Sequence, residues 1–180
     1  MPSIIDGPQG MHLAHDGRII DIHYHQERTA YSQAVTNYGR VPVTNLEVVL
    51  TPQSADNIFI IFCRWNGEST GSEHDAMFGV SRNDVEIGNN DEVVGYNGRG
   101  IAPIRISHHT DDNSTQESAS YHMVDAPATT DELTYKLMFY NVSNAAKTLY
   151  TNRVVNAATT GAYERTTSGI HVLEINPVMI

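Results

Sequence analysis

The stretch N-I-F-I-I-F-C-R-W, residues 57–65, decides the fold. Apolar residues fill both alternating sets of positions, which are Ile58, Ile60 and Phe62 in one set and Phe59, Ile61, Cys63 and Trp65 in the other. Aromatic and β-branched side chains favour extended structure, in which successive side chains point to opposite faces. The stretch therefore predicts a central strand covered on both faces, either by a second sheet plus another subunit or by loops.

Shorter runs with a period of two flank this stretch. Ile20, Ile22 and Tyr24 alternate with Asp21, His23 and His25, as is typical of a half-buried strand. A similar run at residues 46–50 is closed by Pro52. Further short runs lie at residues 76–81, 85–88, 101–107, 118–124, 133–142, 148–152 and 169–175.

Turn-forming residues separate these runs. Arg82-Asn83-Asp84 predicts a tight hairpin, and residues 89–100 and 108–116 have the composition of long polar loops. Strands at this spacing predict an all-β antiparallel β-sandwich or barrel. The best helical candidate, residues 145–149, is too short to form a helix alone.

The first 17 residues differ in composition from the rest. They contain two Pro, three Gly and two His without a sustained period, whereas the alternating pattern begins at Arg18. A chain of 180 residues has room for one hydrophobic core. We therefore predict an N-terminal attachment arm at residues 1–17 and a β-sandwich domain at residues 18–180.

Charge and composition exclude several classes of partner. The chain carries 11 basic and 21 acidic residues, a formal charge of −10, which would repel a phosphate backbone and predicts no nucleic-acid partner. Apolar runs are much shorter than the ~18 residues of a membrane helix, so no membrane insertion is predicted. No secretion signal is evident, and Cys63, the only cysteine, reads as a small core residue of a protein made in a reducing compartment.

Catalytic motifs are missing from the sequence. There is no phosphate-binding loop ending in Lys-Ser/Thr and no G-x-S-x-G elbow, and residues 95–100 are glycine-rich without a following helix. The paired carboxylates, such as Asp111-Asp112 and Asp91-Glu92, lie in polar loops, where no apolar pocket would separate their pKa values. We predict no catalytic residue, no cofactor and no enzyme activity.

Nine histidines make metal binding the alternative to weigh. His23 and His25 share one strand face, and His108-His109 precede Asp111, Asp112 and Asn113. Oxygen ligands at residues 89–92 and 111–113 do not match a calcium-binding loop. Because no complete ligand set is present, we interpret His23 and His25 as solvent-facing or hydrogen-bonded and predict no metal site; a cupin-type metal enzyme is the remote alternative.

Several stretches together resemble a family of phage virion structural proteins of the tail-fibre, knob or capsid-decoration type, which are frequent in marine and cyanobacterial phages. The matching stretches are V-S-R-N-D-V-E-I-G (80–88), D-A-P-A-T-T (125–130) followed by Thr134-Tyr135, T-L-Y-T-N-R (148–153), S-G-I-H-V-L-E-I (168–175) and T-N-L-E-V-V-L-T-P (44–52). In the last of these, Asn45 stands where the family usually has glycine. The matches span almost all of residues 18–175.

The resemblance implies a jelly-roll-like sandwich, assembly into homotrimers and a structural or host-contacting role, with no catalytic residue. We expect a protein that is synthesised in the host cytoplasm and displayed on the virion surface. It would be a capsid-decoration, knob or short-fibre module, docked on a major capsid or tail protein through residues 1–17. The alternative is a receptor- or glycan-binding head, with residues 89–100 and 108–116 as its contact loops and Tyr96 as a stacking platform.

Overall fold

The computed structural model describes residues 18–70, 76–89, 100–104, 114–156 and 164–177. These ranges contain eleven β-strands and no helix. The strands are β1 (Arg18–Glu27), β2 (Tyr31–Val35), β3 (Arg40–Leu50), β4 (Ile58–Ser69), β5 (Ala76–Arg82), β6 (Val85–Ile87), β7 (Ala102–Ile104), β8 (Glu117–Asp125), β9 (Leu133–Asn141), β10 (Lys147–Thr151) and β11 (Ser168–Asn176). Consequently, no helix in the described ranges has the length and apolarity needed to cross a membrane.

Two antiparallel sheets pack against each other. The larger sheet has the order β1-β11-β4-β10-β2, with β8 on the other edge of β4, and the smaller sheet has the order β3-β9-β5-β6, with β7 also beside β5. Strand β4 pairs with β8 along residues 59–67, with β11 along residues 58–64 and with β10 along residues 67–69. The predicted all-β antiparallel sandwich and its central strand are confirmed.

The core lies between the two sheets and is rich in aromatic side chains. Trp65 of β4 is fully buried, and its ring centroid lies 4.9 Å from that of Phe78 in the facing sheet. The indole Nε1 donates a hydrogen bond of 3.1 Å to Thr151 Oγ1, which satisfies the polar atom of an otherwise apolar group. Phe59, Ile61 and Cys63 continue the same inward row of β4, so one of its two apolar sets forms the core.

Buried carboxylates fix the connections between strands. Glu174 Oε1 accepts hydrogen bonds from the Gln53 amide at 2.7 Å and from Asn57 Nδ2 at 2.5 Å. Burial alone would raise the pKa of the Glu27 carboxyl, but hydrogen bonds from the Thr29 amide and from Asn45 hold that pKa below its ordinary value. The carboxylates tie the β1–β2 and β3–β4 connections to the sheets.

Two backbone features match positions that the sequence singles out. Asn83 and Asp84 both have positive φ, 49° and 64°, and connect β5 to β6, so the predicted tight hairpin is confirmed. Asn45 has φ 61° and lies where the register between β3 and β9 shifts, between Pro42 and Glu47. A left-handed residue at this bulge explains why glycine or asparagine suits the position.

Strand β1 is half-buried as predicted, and its histidines occupy the less exposed of its two faces. His23 and His25 turn toward the inside of the sandwich, and their Nε2 atoms are buried without a hydrogen-bond partner. Ile22 and Tyr24 point outward instead, with 55% and 71% of their surfaces exposed. The reason is the register of β1 on β11, which places Ile22 beside Leu173 and so continues an apolar outer surface.

Some predictions concern residues outside the described ranges. They are the arm at residues 1–17, the parts of the predicted loops at residues 90–99, with Tyr96, and 108–113, and the end of the predicted strand at residues 105–107. Most of the oxygen-ligand and histidine positions weighed for metal binding in those loops also lie there. Of the predicted strand at residues 101–107, the described part forms β7. Strand β2 is an addition that the sequence did not suggest.

Candidate functional site

The candidate functional site is the outer surface of the larger sheet, where most of the large exposed hydrophobic side chains of the described residues lie. Four adjacent strands, β1, β11, β4 and β8, present their outward side chains there, and we call this surface the open face. Cross-strand register arranges those side chains in three rows. The first row is Ile22, Leu173, Ile60 and Val124; the second is Tyr24, His171, Phe62 and His122; the third is Gln26, Gly169, Arg64 and Ser120.

The first row is entirely apolar and much of it is in contact with solvent. Ile22 is 55% exposed and Val124 57% exposed, and Phe62 in the next row is 43% exposed. With Tyr24, these residues are four of the seven large exposed hydrophobic side chains in the described chain. Scattered single apolar residues on a surface are ordinary, but a contiguous patch marks an interaction site.

The second row is aromatic across all four strands. The rings of Tyr24 and His171 meet edge to face with centroids 6.0 Å apart, and those of Phe62 and His122 lie tilted at 5.9 Å. All four rings have an apolar surface, and three of them, those of Tyr24, His122 and His171, also carry a polar atom at the edge. Such side chains are enriched at protein interfaces because they bury a large area and still satisfy a hydrogen bond.

The third row contains a notch. Gly169 has no side chain, so a depression of about 380 Å³ opens between Gln26 and Arg64 and extends toward His122 and His171. A Cβ atom at residue 169 would lie 3.2 Å from the His25 carbonyl oxygen and 3.5 Å from His171 Nε2. The glycine thus keeps the depression open in the middle of a sheet surface.

Polar side chains beside this notch form a connected set, which we call the donor cluster: Gln26, Arg28, Arg64 and Thr167. Thr167 Oγ1 accepts from Arg64 Nη2 at 3.1 Å and from Gln26 Nε2 at 3.4 Å. Gln26 Oε1 in turn accepts from Arg28 Nη2 at 3.0 Å and from its Nε at 3.3 Å. Among the described residues, no carboxylate pairs with either arginine.

The histidines that the sequence offered as metal ligands do not gain a third ligand in the described part of the chain. His23 and His25 do share one face of β1, as predicted, and His23 Nε2 lies 3.5 Å from Asp21 Oδ2. No group of three or more His, Cys, Asp or Glu side chains close enough to hold a metal occurs among the residues described.

The residues of the open face were missed by the search for chemical motifs. Tyr24, Phe62, His122 and His171 match no catalytic or ligand-binding motif, and each alone is an ordinary strand residue. The pattern that points to this surface is the outward apolar set of β4, Ile58, Ile60 and Phe62, because apolar residues on both sides of a strand predict that both sides are covered. The sequence predicts that either another subunit or loops cover this side of β4. The loops that the structure describes leave it exposed.

Cys63 lies on the opposite, inward side of β4 and is 4% exposed. Burial raises the pKa of its thiol to about 12. Because the thiolate is the reactive form, iodoacetamide at mildly alkaline pH is expected to leave the native chain unmodified and to label it in concentrated guanidinium chloride. Mass spectrometry measures the extent of labelling in the native and in the denatured chain. Rapid labelling of the native chain would contradict the inward orientation of Cys63.

No protein-family model matches this chain, and no curated protein matches it either. The open face and the donor cluster therefore rest on the geometry of this molecule alone.

Proposed function

We propose that this chain is a non-catalytic structural module that assembles with copies of itself through the open face, forming a trimer on the surface of a phage particle. The observation that carries the proposal is the contiguous apolar and aromatic surface across β1, β11, β4 and β8. In a monomer this apolar surface would remain in contact with water, whereas association of copies would bury it.

The size of the surface supports a role as the centre of an interface. Four strands about 4.8 Å apart and three rows about 6.8 Å apart span roughly 400 Å². A standard interface buries about 800 Å² on each partner, usually with an apolar centre and a polar rim. The first two rows of the open face account for the centre, and the polar third row accounts for part of the rim.

The phage particle as the setting is proposed from the sequence resemblance. The stretches on which the resemblance rests coincide with strand β3, the β5–β6 hairpin, the β8–β9 connection with the start of β9, β10 and β11. In both sheets, strands from the two halves of the chain alternate as neighbours, β1-β11-β4 in one and β3-β9-β5 in the other, and such connections are compatible with a jelly roll. Residues 1–17 would dock the trimer on a capsid or tail protein.

Val124 and Val49 provide a matched test of self-assembly. Both are exposed valines, at 57% and 51%, but Val124 lies on the open face and Val49 on β3 of the other sheet. Val124→Asp is expected to convert the trimer into a folded monomer, because covering the face would bury an unpaired carboxylate. Val49→Asp is expected to leave the trimer intact.

Light scattering coupled to gel filtration measures the mass of each variant at several concentrations. A Val124→Asp protein that retains the wild-type mass would refute assembly through this face. Equal dissociation of both variants would also refute it, since the effect would then follow from added charge rather than from position.

A further inference from the structure

We infer that the donor cluster beside Gly169 is a carboxylate-binding site, which takes an acidic side chain from a second copy of this chain. The inference rests on the proposed function, because it names the contact that the third row of the open face makes when the first two rows are covered. It assigns a ligand class to four residues, Gln26, Arg28, Arg64 and Thr167.

The first step is the charge of the cluster. Arg28 and Arg64 bring two guanidinium groups to one side of the sheet, linked through Gln26 and Thr167, and no described carboxylate neutralises them. A guanidinium that loses its water without gaining an anion is strongly disfavoured. A partner whose contact extends from the first two rows over the third must therefore supply an acceptor there.

The second step is the geometry. Thr167 Oγ1 holds Arg64 through one nitrogen at 3.1 Å, which leaves its other N–H groups available. The notch at Gly169 gives a ligand space beside that guanidinium, and Ser120 and His171 line the same depression. A planar carboxylate fits a guanidinium with two parallel hydrogen bonds, so an Asp or Glu side chain is the ligand that this arrangement suits.

The third step is the source of that carboxylate. The chain has 21 acidic residues against 11 basic ones, so a second copy offers an excess of acceptors. The cluster also lies directly beside the aromatic row, since Arg64 and Phe62 are two residues apart on the same face of β4. One contact between copies would therefore cover the apolar rows and neutralise the arginines together.

Arg64→Gln and Arg64→Glu in the full-length chain test this inference, with Lys136→Gln as the control. Lys136 lies on the smaller sheet, where its Nζ is 2.7 Å from Asp84 Oδ1, so the control removes the same charge from a different surface. Arg64→Gln is expected to raise the dissociation constant of the assembly by about 30-fold or more, and Arg64→Glu by more than that. Lys136→Gln is expected to change it less than about threefold.

Sedimentation velocity over a concentration series measures the dissociation constants, and protection of Cys63 from alkylation verifies that each variant is folded. Wild-type association should weaken as sodium chloride is raised, and Arg64→Gln should reduce that dependence. An Arg64→Gln protein that associates as the wild type does would overturn the inference while leaving the Val124 result unaffected.

The remaining occupant to test is a free acidic ligand, for which glucuronate serves as the probe. Calorimetry with the Val124→Asp protein measures its binding. Two results together would assign the site to an external ligand and overturn the second copy as the source of the carboxylate. They are glucuronate binding that is lost in Arg64→Gln, and an Arg64→Gln protein that assembles as strongly as the wild type. Weakened assembly in Arg64→Gln supports the second copy.

Discussion

A chain carrying Phe59→Asp is expected to yield no folded protein, whereas Phe62→Asp is expected to fold and remain monomeric. The two residues are three positions apart on β4 and point to opposite faces. Phe59 is fully buried between the sheets, with its ring centroid 6.0 Å from that of Tyr135. Phe62 is 43% exposed in the second row of the open face.

The difference follows from what surrounds each new carboxylate. At residue 59 the charge would lie in a dry core without a partner, which costs more than the 5–15 kcal/mol that typically stabilises a whole domain unless the charge is neutralised or the fold opens. At residue 62 it would remain in water in the monomer and oppose only association. Circular dichroism and light scattering measure the two outcomes. A folded trimer from Phe59→Asp would show that β4 is not central, and an unfolded Phe62→Asp chain would show that its outer side is not free.

Gly67→Ala is the second change expected to have a large effect. Gly67 lies where β4 exchanges its neighbour β11 for β10, and it pairs with Thr151. A Cβ atom at residue 67 would lie 1.9 Å from the Tyr150 carbonyl oxygen and 2.7 Å from Trp65 Cζ2. Since the first contact is with backbone, β10 would have to move away from β4 and take its partner β2 with it.

We expect Gly67→Ala to lower the free energy of unfolding by more than about 4 kcal/mol, measured by urea denaturation in the Val124→Asp background. Gly169→Ala is the control, because it adds the same methyl group to the same sheet with a closest contact of 3.2 Å. Its cost should be below about 1 kcal/mol, since a shift of a few tenths of an ångström relieves the contact. Equal costs for the two variants would contradict the close approach of β10 at Gly67.

The sequence determines part of this fold in a readable way. The two apolar sets of β4 predict a central strand, and Asn83-Asp84 predict a hairpin, because both signals are local. The alternation in β1 shows that the strand has two unlike faces but not which one turns inward. That choice depends on the apolar outer positions of β11, such as Leu173, and hence on pairing between residues about 150 positions apart.

The candidate site is less predictable for the same reason. The rows of the open face exist only once four strands are in register. The identity of a single residue such as Val124 or His171 does not predict which residues lie beside it on the neighbouring strands. The notch at Gly169 is unpredictable for the same reason, because it forms only when Gln26 and Arg64 lie on either side of the glycine. Strand β2 was missed because Tyr31–Val35 has only five residues, and the polar Gln33 lies in the middle of its less exposed positions.

The three rows also give the open face a polarity along its strands. Apolar side chains lie at one end, aromatic ones in the middle and hydrogen-bond donors at the other end, so a copy docked half a turn away from the complementary orientation would leave the guanidinium of Arg64 without its carboxylate. A wrongly oriented encounter would therefore be penalised even when its shape fits. Such directional chemistry selects one relative orientation for two neighbouring copies, and a single fixed orientation is what a symmetric assembly repeats.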